Sequence, residues 1–350
     1  MKEKKVVFLS YDGITDPLGQ SQILPYLFGL SSNKNNKITI VSFEKTNNYL
    51  QNKDIILKKL EKNNVEWIPL KYTKYPPIFS TLWDIYKLNQ TVKKLKVNGV
   101  DLIHCRSYIT TLVALGFKRK YKIPFIFDMR GFYADERVDG RIWNLNNIIY
   151  KKIYNYFKLK EKEFLQCSDY TISLTETGKK EIVSWNLPSQ SKIKVIPCCT
   201  DENLFQKKNI QNVRNELGFN KNDFIISYIG SIGTWYMLDE MLDFFKCLQI
   251  KKPNAKFFFI TKDNPQLILE KAKSKKIDVS SIKIQPSSRE MMPSYIGASN
   301  FSIFFILPVF SKKASSPTKM GEIMNLGIPI ICNSGVGDVD EIMGKSMPEL

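Results

Sequence analysis

The sequence predicts an α/β protein of two doubly wound domains, and three observations carry that expectation. The chain has 350 residues, and a single hydrophobic core stops growing at roughly 250 to 300, so two cores are expected. Short apolar runs suited to buried parallel strands alternate with longer helical patterns for most of the length. The rhythm breaks at Pro197-Cys198-Cys199-Thr200-Asp201-Glu202-Asn203, a polar passage without apolar periodicity that reads as a linker. Domains of residues 1–205 and 206–350 follow.

In the first domain the predicted strands are Val6–Ser10, Ile38–Ser42, Val65–Leu70, Val100–His104, Phe125–Asp128, Tyr170–Ser173 and Ile193–Ile196. In the second they are Phe224–Ile229, Ala255–Ile260, Ile282–Ile284, Phe301–Ile306 and Ile328–Ile331. Ligands of open parallel sheets bind beyond the carboxyl ends of the strands, so two such sheets facing each other are expected to enclose a cleft. The residues that matter should therefore sit just after strands.

Composition narrows the classes of function. Hydrophobic residues make up 43% and charged residues 25% of the chain, an ordinary globular balance. The basic lead before the Val6–Ser10 run is too short for a signal peptide. The longest apolar stretch, Phe301 to Phe310, is broken by Ser302 and Pro308 and falls short of the ~20 residues that span a bilayer. A cytoplasmic protein is expected. Six cysteines without C-x-x-C spacing and one histidine, His104, indicate neither a zinc site nor a disulfide framework. The formal charge of +18 attracts nucleic acid, anionic membrane or phosphorylated substrates without choosing among them.

Three turns carry candidate chemistry. After the first strand, Asp16-Pro17-Leu18-Gly19-Gln20-Ser21 leads into a helix expected near Gln20, where Gly19 lets backbone approach a ligand and the helix start offers N–H groups to anions. A plain strand-to-helix turn reads equally well. After Phe224–Ile229, Gly230-Ser231-Ile232-Gly233-Thr234 can cradle a diphosphate through N–H groups and a hydroxyl, with a tight turn as the plainer alternative. The third is Ser315-Ser316-Pro317-Thr318-Lys319-Met320-Gly321-Glu322. Pro317 suits a first helical turn and Ser316 a cap before it, while Glu322, four residues after Thr318, shares its face. Phosphate oxygens need N–H donors and a cation, and a ribose diol is held by a carboxylate. A capped helix with a Lys319–Glu322 ion pair is the plainer alternative.

Between the domains, Asp128-Met129-Arg130 and Asp135-Glu136 crowd charge after a buried strand, where loops carry function more often than stability. Arg130 suits a phosphate or a transition-state oxygen, and Asp135 or Glu136 an acceptor hydroxyl. His104 and Arg106 end another strand and lie beside this loop if the two strands are neighbours; His104 reads foremost as a packed strand-end residue. Two helical stretches are amphipathic and basic. In one, Ile78, Leu82, Ile85, Val92 and Leu95 form an apolar face expected in the core; in the other, Tyr150, Tyr154 and Phe157 do. Their lysine faces suit solvent or an anionic membrane surface.

Taken in order, Asp16 to Gln22, Phe127 to Asp139, Val195 to Phe205, Gly230-Ser231 and Ser316 to Pro329 resemble the retaining glycosyltransferases of family 4, of the bacterial cell-surface polysaccharide type. The resemblance implies the GT-B architecture, two facing Rossmann-like domains with parallel sheets and an interdomain cleft. It implies a donor nucleotide-diphosphate sugar held by Gly19, Gly230, Ser231, Arg289, Ser316, Thr318, Lys319 and Glu322, with Glu322 on the ribose and Pro286 to Arg289 at the nucleobase. Arg130 and Lys319 are the implied catalytic residues, and Arg106, Asp135 and Glu136 the acceptor-side candidates. A hexosyltransferase is implied, acting on a saccharide or lipid-linked saccharide, with retention, without metal or other cofactor and with no nucleic-acid partner, at or near the inner face of the membrane.

Four departures accompany the resemblance. The family's E-x7-E pattern has Ala314 at its first glutamate. The cations of the second-domain glycine loop are replaced around Ser231, Thr234 and Tyr236, leaving Lys319 and Arg130 to neutralise the diphosphate. Arg130 stands where a histidine is frequent. Relatives continue into a final helix that crosses back onto the first domain, whereas this chain ends at Leu350, so the second domain is expected without its final elements. The rival readings are a sugar-nucleotide epimerase on the same architecture, and a non-catalytic basic module for membrane or nucleic acid.

Overall fold

The computed structural model describes residues 3–33, 35–210 and 212–346. The chain forms two compact units, Met1–Pro197 with Lys313–Ser315, and Cys198–Lys312 with Ser316–Leu350. The chain leaves the first unit at Pro197, ahead of residue 205, because Phe205 is fully buried in the core of the second unit. The stop at Leu350 lies outside the described residues.

Among the described residues the first unit contains seven strands: β1 (Lys4–Ser10), β2 (Asn36–Glu44), β3 (Val65–Lys71), β4 (Leu102–Arg106), β5 (Phe125–Asp128), β6 (Tyr170–Ser173) and β7 (Lys192–Val195). They pair in parallel in the order β3-β2-β1-β4-β5-β6-β7. Alternate side chains feed two cores. Phe8, Ile38 and Ile40 join one with Leu24, Leu27 and Ile56, while Val7, Leu9, Val41 and Phe43 join the other. This is the period-two signature of a sheet buried on both faces. The strand order reverses between β1 and β4, which directs attention to the carboxyl ends of those strands.

The second unit contains β8 (Phe224–Ile229), β9 (Ala255–Ile260), β10 (Ile282–Gln285), β11 (Phe301–Phe304) and β12 (Ile330–Cys332). They are parallel in the order β10-β9-β8-β11-β12. Phe257, Phe258 and Phe259 are all fully buried, so both faces of β9 are covered. Among the described residues no helix is long and apolar enough to cross a membrane.

One helix departs from its expected orientation. The helix Phe79–Val97 buries Leu88 and Val92, but in its first two turns it buries Ser80 and Asp84. Ile78 and Leu82, expected in the core, are exposed, together with Phe79, Trp83 and Tyr86. The cause is polar. The Asp84 carboxylate accepts from Tyr11 Oη at 3.0 Å and from the Thr73 N–H at 3.1 Å and pairs with Lys87 Nζ at 2.7 Å, which fixes that side of the helix inward. The helix starts from a γ-turn at Ile78 (φ 71°, ψ −60°), closed by Phe79 N–H to the Pro77 carbonyl at 2.9 Å. That conformation is uncommon and strained for a β-branched residue.

Candidate functional site

In the second unit β8 ends at Gly230, whose φ of 114° belongs to glycine territory. The following turn is tied at both flanks. Tyr228 Oη donates to the Ser231 carbonyl at 2.5 Å, and the Ile232 N–H donates to the Asp263 carboxylate. Ser231 and Thr234 remain exposed. A Cβ placed on Gly230 would stand 3.0 Å from Lys319 Nζ, so the absent side chain is what lets the lysine approach the turn.

Lys319 belongs to the helix Thr318–Asn325. Its ammonium lies 3.9 Å from the ring centre of Tyr236 and 4.5 Å from that of Tyr228, and 3.3 Å from Tyr228 Oη. Its partners are thus two aromatic faces and a phenol, which stabilise a cation less than a carboxylate does. Desolvation pulls Lys319 down to about 7, with Glu322 opposing the fall. Burial likewise pushes the Tyr228 phenol well up.

Glu322 is 5% exposed. Its Oε1 accepts from Arg289 Nη1 at 2.5 Å, and the Arg289 guanidinium lies 4.7 Å from the Phe205 ring centre. Burial raises the Glu322 carboxyl, and Arg289 offsets part of the rise. The Lys319–Glu322 ion pair of the plainer reading is therefore replaced by Arg289–Glu322. The helix begins at Thr318 with Pro317 before it, and Ser316 does not cap it. Ser316 Oγ instead accepts from the Cys198 N–H at 3.1 Å. Thr318 is half-buried in the first turn.

In the first unit the helix after β1 begins at Pro17, three residues before Gln20. The turn ahead of it is organised by Glu44, which is buried at the end of β2. Glu44 Oε1 accepts from the Ile14 N–H (2.9 Å) and Ser42 Oγ (2.6 Å), and Oε2 accepts from the Thr15 N–H (3.1 Å) and Thr15 Oγ1. A Cβ on Gly19 would lie 2.2 Å from the Gly13 carbonyl oxygen and 2.5 Å from Ile14 Cα. Glycine is required there by the chain's own backbone.

Strands β4 and β5 are neighbours, with Arg106 opposite Asp128. Their ends bring together His104, Arg106, Asp128 and Arg130. Asp128 Oδ2 lies 3.8 Å from His104 Nε2 and 3.9 Å from Arg106 Nη1, and Asp128 Oδ1 lies 3.9 Å from Arg130 Nη1. Arg106 Nε is 3.5 Å from Asp12 Oδ2. Burial pushes the Asp128 carboxyl upward more than any other single influence, yet Arg130, His104 and Arg106 together hold it below its usual range. Arg130 sits at φ 59°, an uncommon backbone for a non-glycine residue at a strand end. The sequence marks Asp128, the hub, only as part of the charged loop and gives it no role; its place opposite Arg106 at adjacent strand ends comes from the strand pairing.

Asp135 is less open than expected. Tyr154 Oη donates to its Oδ1 at 2.9 Å and Lys158 Nζ to its Oδ2 at 2.8 Å. Lys158 also holds the buried Glu161 at 2.5 Å, whose other oxygen accepts from Tyr108 Oη. This network joins the helices Tyr133–Asp139 and Ile148–Cys167. Glu136, beside it, is half-buried. Ala314 is buried in the first unit's core, and a Cβ on Gly178 would stand 3.0 Å from Ala314 Cβ. Among the described residues no cluster of three or more metal-ligating side chains occurs.

The family model described as Glycosyltransferase Family 4 matches residues 34–204. Residues 34–204 belong to Glycosyltransferase Family 4. The chain is accordingly a glycosyltransferase of the hexosyltransferase class. Three solved structures share the fold along nearly the full length of the chain. Sucrose-phosphate synthase from Thermosynechococcus elongatus matches with a TM-score of 0.70 at 14% identity, over 97% of this chain and 83% of its own. Anabaena HepE in complex with UDP and glucose matches at 0.66 and 13%, over 97% and 83%. UDP-GlcNAc 2-epimerase from Neisseria meningitidis bound to UDP-GlcNAc matches at 0.56 and 14%, over 97% and 85%. At such identities they establish the fold, which is GT-B. No curated protein matches the chain in sequence.

Proposed function

We propose that this chain transfers a hexose from a nucleotide-diphosphate sugar to a saccharide or lipid-linked saccharide, with retention and without a metal ion. The observation that carries the reading is Lys319: a desolvated lysine held by Tyr228 and Tyr236 against the Gly230 turn, with the Arg289–Glu322 pair one helical turn on. A diphosphate supplies the negative charge that this ammonium lacks, its binding favours the charged form, and the ammonium then stabilises the leaving-group charge. Glu322 takes the ribose hydroxyls, which requires Arg289 to share or yield its carboxylate. Ser231, Ser316, Thr318 and the Gly230 backbone flank the phosphates, and the Gly19 turn shapes the first unit's strand end.

Arg130 is proposed to stabilise the departing diphosphate, and Arg106 and Glu136 to meet the acceptor. Asp135 acts by bracing its helix, since both its oxygens are engaged. Front-side attack assisted by the leaving phosphate needs no protein nucleophile. The second reading, a sugar-nucleotide epimerase, draws on the fold shared with the Neisseria enzyme; it requires turnover of donor with no acceptor present.

The test is a thermal-shift screen of UDP-, GDP- and ADP-sugars on the wild type and Glu322→Ala. Ligands that bind only the folded state raise its melting temperature by mass action. One donor should stabilise the wild type and not the variant. Equal stabilisation of both removes Glu322 from the ribose. Turnover is expected to persist in EDTA, and loss of activity that added metal restores would overturn metal independence.

A further inference from the structure

We propose that the segment from Tyr75 to Tyr86 is an interfacial anchor that inserts into an anionic lipid surface. The inside-out start of the helix Phe79–Val97 carries the proposal. Tyr75, Ile78, Phe79, Leu82, Trp83 and Tyr86 are between 41% and 68% exposed, except for Phe79 at 71%. Residues 79, 82, 83 and 86 recur at helical spacing and form one continuous apolar face. Trp83 and Tyr86 stack with ring centres 5.4 Å apart. A chain that needed only to fold would turn this face inward; here Asp84, bonded to Tyr11, Thr73 and Lys87, holds the polar side inward instead.

Charge selects the occupant. Residues 71–97 contain six lysines, of which Lys87 is turned inward onto Asp84 and Lys71, Lys74, Lys93, Lys94 and Lys96 remain, and a single acid, the buried Asp84. No carboxylate of this stretch therefore faces outward to oppose an anionic surface. Trp, Tyr and Phe flanked by lysines is the composition that seats a helix at the headgroup level, with rings in the acyl boundary and ammonium groups at the phosphates. Tyr75 and Ile78 continue the exposed apolar residues ahead of the first helical turn. The anchor deepens the reading of a lipid-linked acceptor, because it would hold the enzyme where such an acceptor is presented.

The experiment is co-sedimentation of the full chain with vesicles of phosphatidylcholine, with and without one-third phosphatidylglycerol, at low and high salt. The wild type should bind the anionic vesicles, and less so in high salt. Phe79→Ser with Trp83→Ser should lower that partition by about tenfold or more, since two large apolar groups are removed. Both side chains are exposed, so the melting temperature and the donor-induced thermal shift should not change. Wild-type binding of neither vesicle overturns the anchor, as does equal binding by the double variant. A double variant that converts a dimer to a monomer in light scattering, with no vesicle binding by either protein, assigns the face to a second copy and also overturns it. Vesicle binding without any donor response leaves the anchor standing and removes the nucleotide-sugar reading.

Discussion

The turn after β1 and the turn after β8 both run from a buried strand through glycine into a helix, and they are filled in opposite ways. In the first, the space beside Gly19 holds the Gly13 carbonyl, and Glu44 takes donors from Ile14 and Thr15. In the second, the space beside Gly230 holds the end of Lys319, a side chain that can carry a charge. The first turn satisfies itself; the second keeps a cation close to an exposed hydroxyl and loop. Glycine content alone does not distinguish a packed turn from one built to receive an anion, and what fills the missing side chain's place does.

The contrast can be broken most decisively at Lys319. Lys319→Ala should cut turnover by about 10²–10³-fold, the effect of removing a preorganised stabiliser of leaving-group charge; steady-state rates near those of the wild type would return this turn to a structural role. Next in size is Gly19→Ala, which forces a Cβ into backbone and should cost about 3 kcal/mol in denaturant unfolding. Donor affinity of the folded protein should be unchanged, and a loss matching that of Gly230→Ala would erase the distinction between the turns.

Gly230→Ala should be milder, costing about 1–2 kcal/mol for its positive φ and weakening donor binding severalfold as Lys319 is pushed aside. Calorimetric titration with the donor identified by thermal shift reads the second effect. A different readout of the same contrast is pH dependence. Lys319 has a folded-state value of about 7 against 10.5 ordinarily, so between those pH values the unfolded chain holds a proton that the folded chain lacks. Stability therefore rises with pH across that window, and the penalty is complete below it. Lys319→Met should stabilise the ligand-free chain, most below pH 7, and lose that advantage toward pH 10.5. Diphosphate binding favours the ammonium, so the wild type should take up a fraction of a proton on binding donor above pH 7, seen as a buffer-dependent enthalpy absent from Lys319→Met.

Strands were the most legible part of the fold. Phe125–Asp128, Tyr170–Ser173, Phe224–Ile229 and Ala255–Ile260 stand at the bounds read from their apolar runs, because strands buried on both faces leave an unbroken apolar signature. The helix at Phe79 was misread because periodicity identifies an apolar face but not the direction it points. That direction was decided by Asp84, whose partners Tyr11 and Thr73 come from other elements. Ser316 was misplaced for a related reason: a cap is assigned from local chemistry, and the Cys198 N–H, 118 residues away, claims the hydroxyl. Lys319 and Glu322 could be singled out by spacing, but Tyr228, Tyr236 and Arg289 as their respective partners required the three-dimensional arrangement.

Ala314 bears on what this lineage can become. Its methyl group packs in the first unit's core against the bare Cα of Gly178, and Thr175 Oγ1 donates to the neighbouring Lys313 carbonyl at 2.7 Å. A glutamate written back at 314 would carry its carboxylate into that contact, where an unpaired charge is costly to bury. The small residue at 314 and the small residue at 178 are thus a matched pair, and placing an acid at 314 is a change in several positions at once. For anyone redesigning the enzyme, the accessible variables are the rings around Lys319 and the partner of Glu322, while position 314 is closed to single-step exchange.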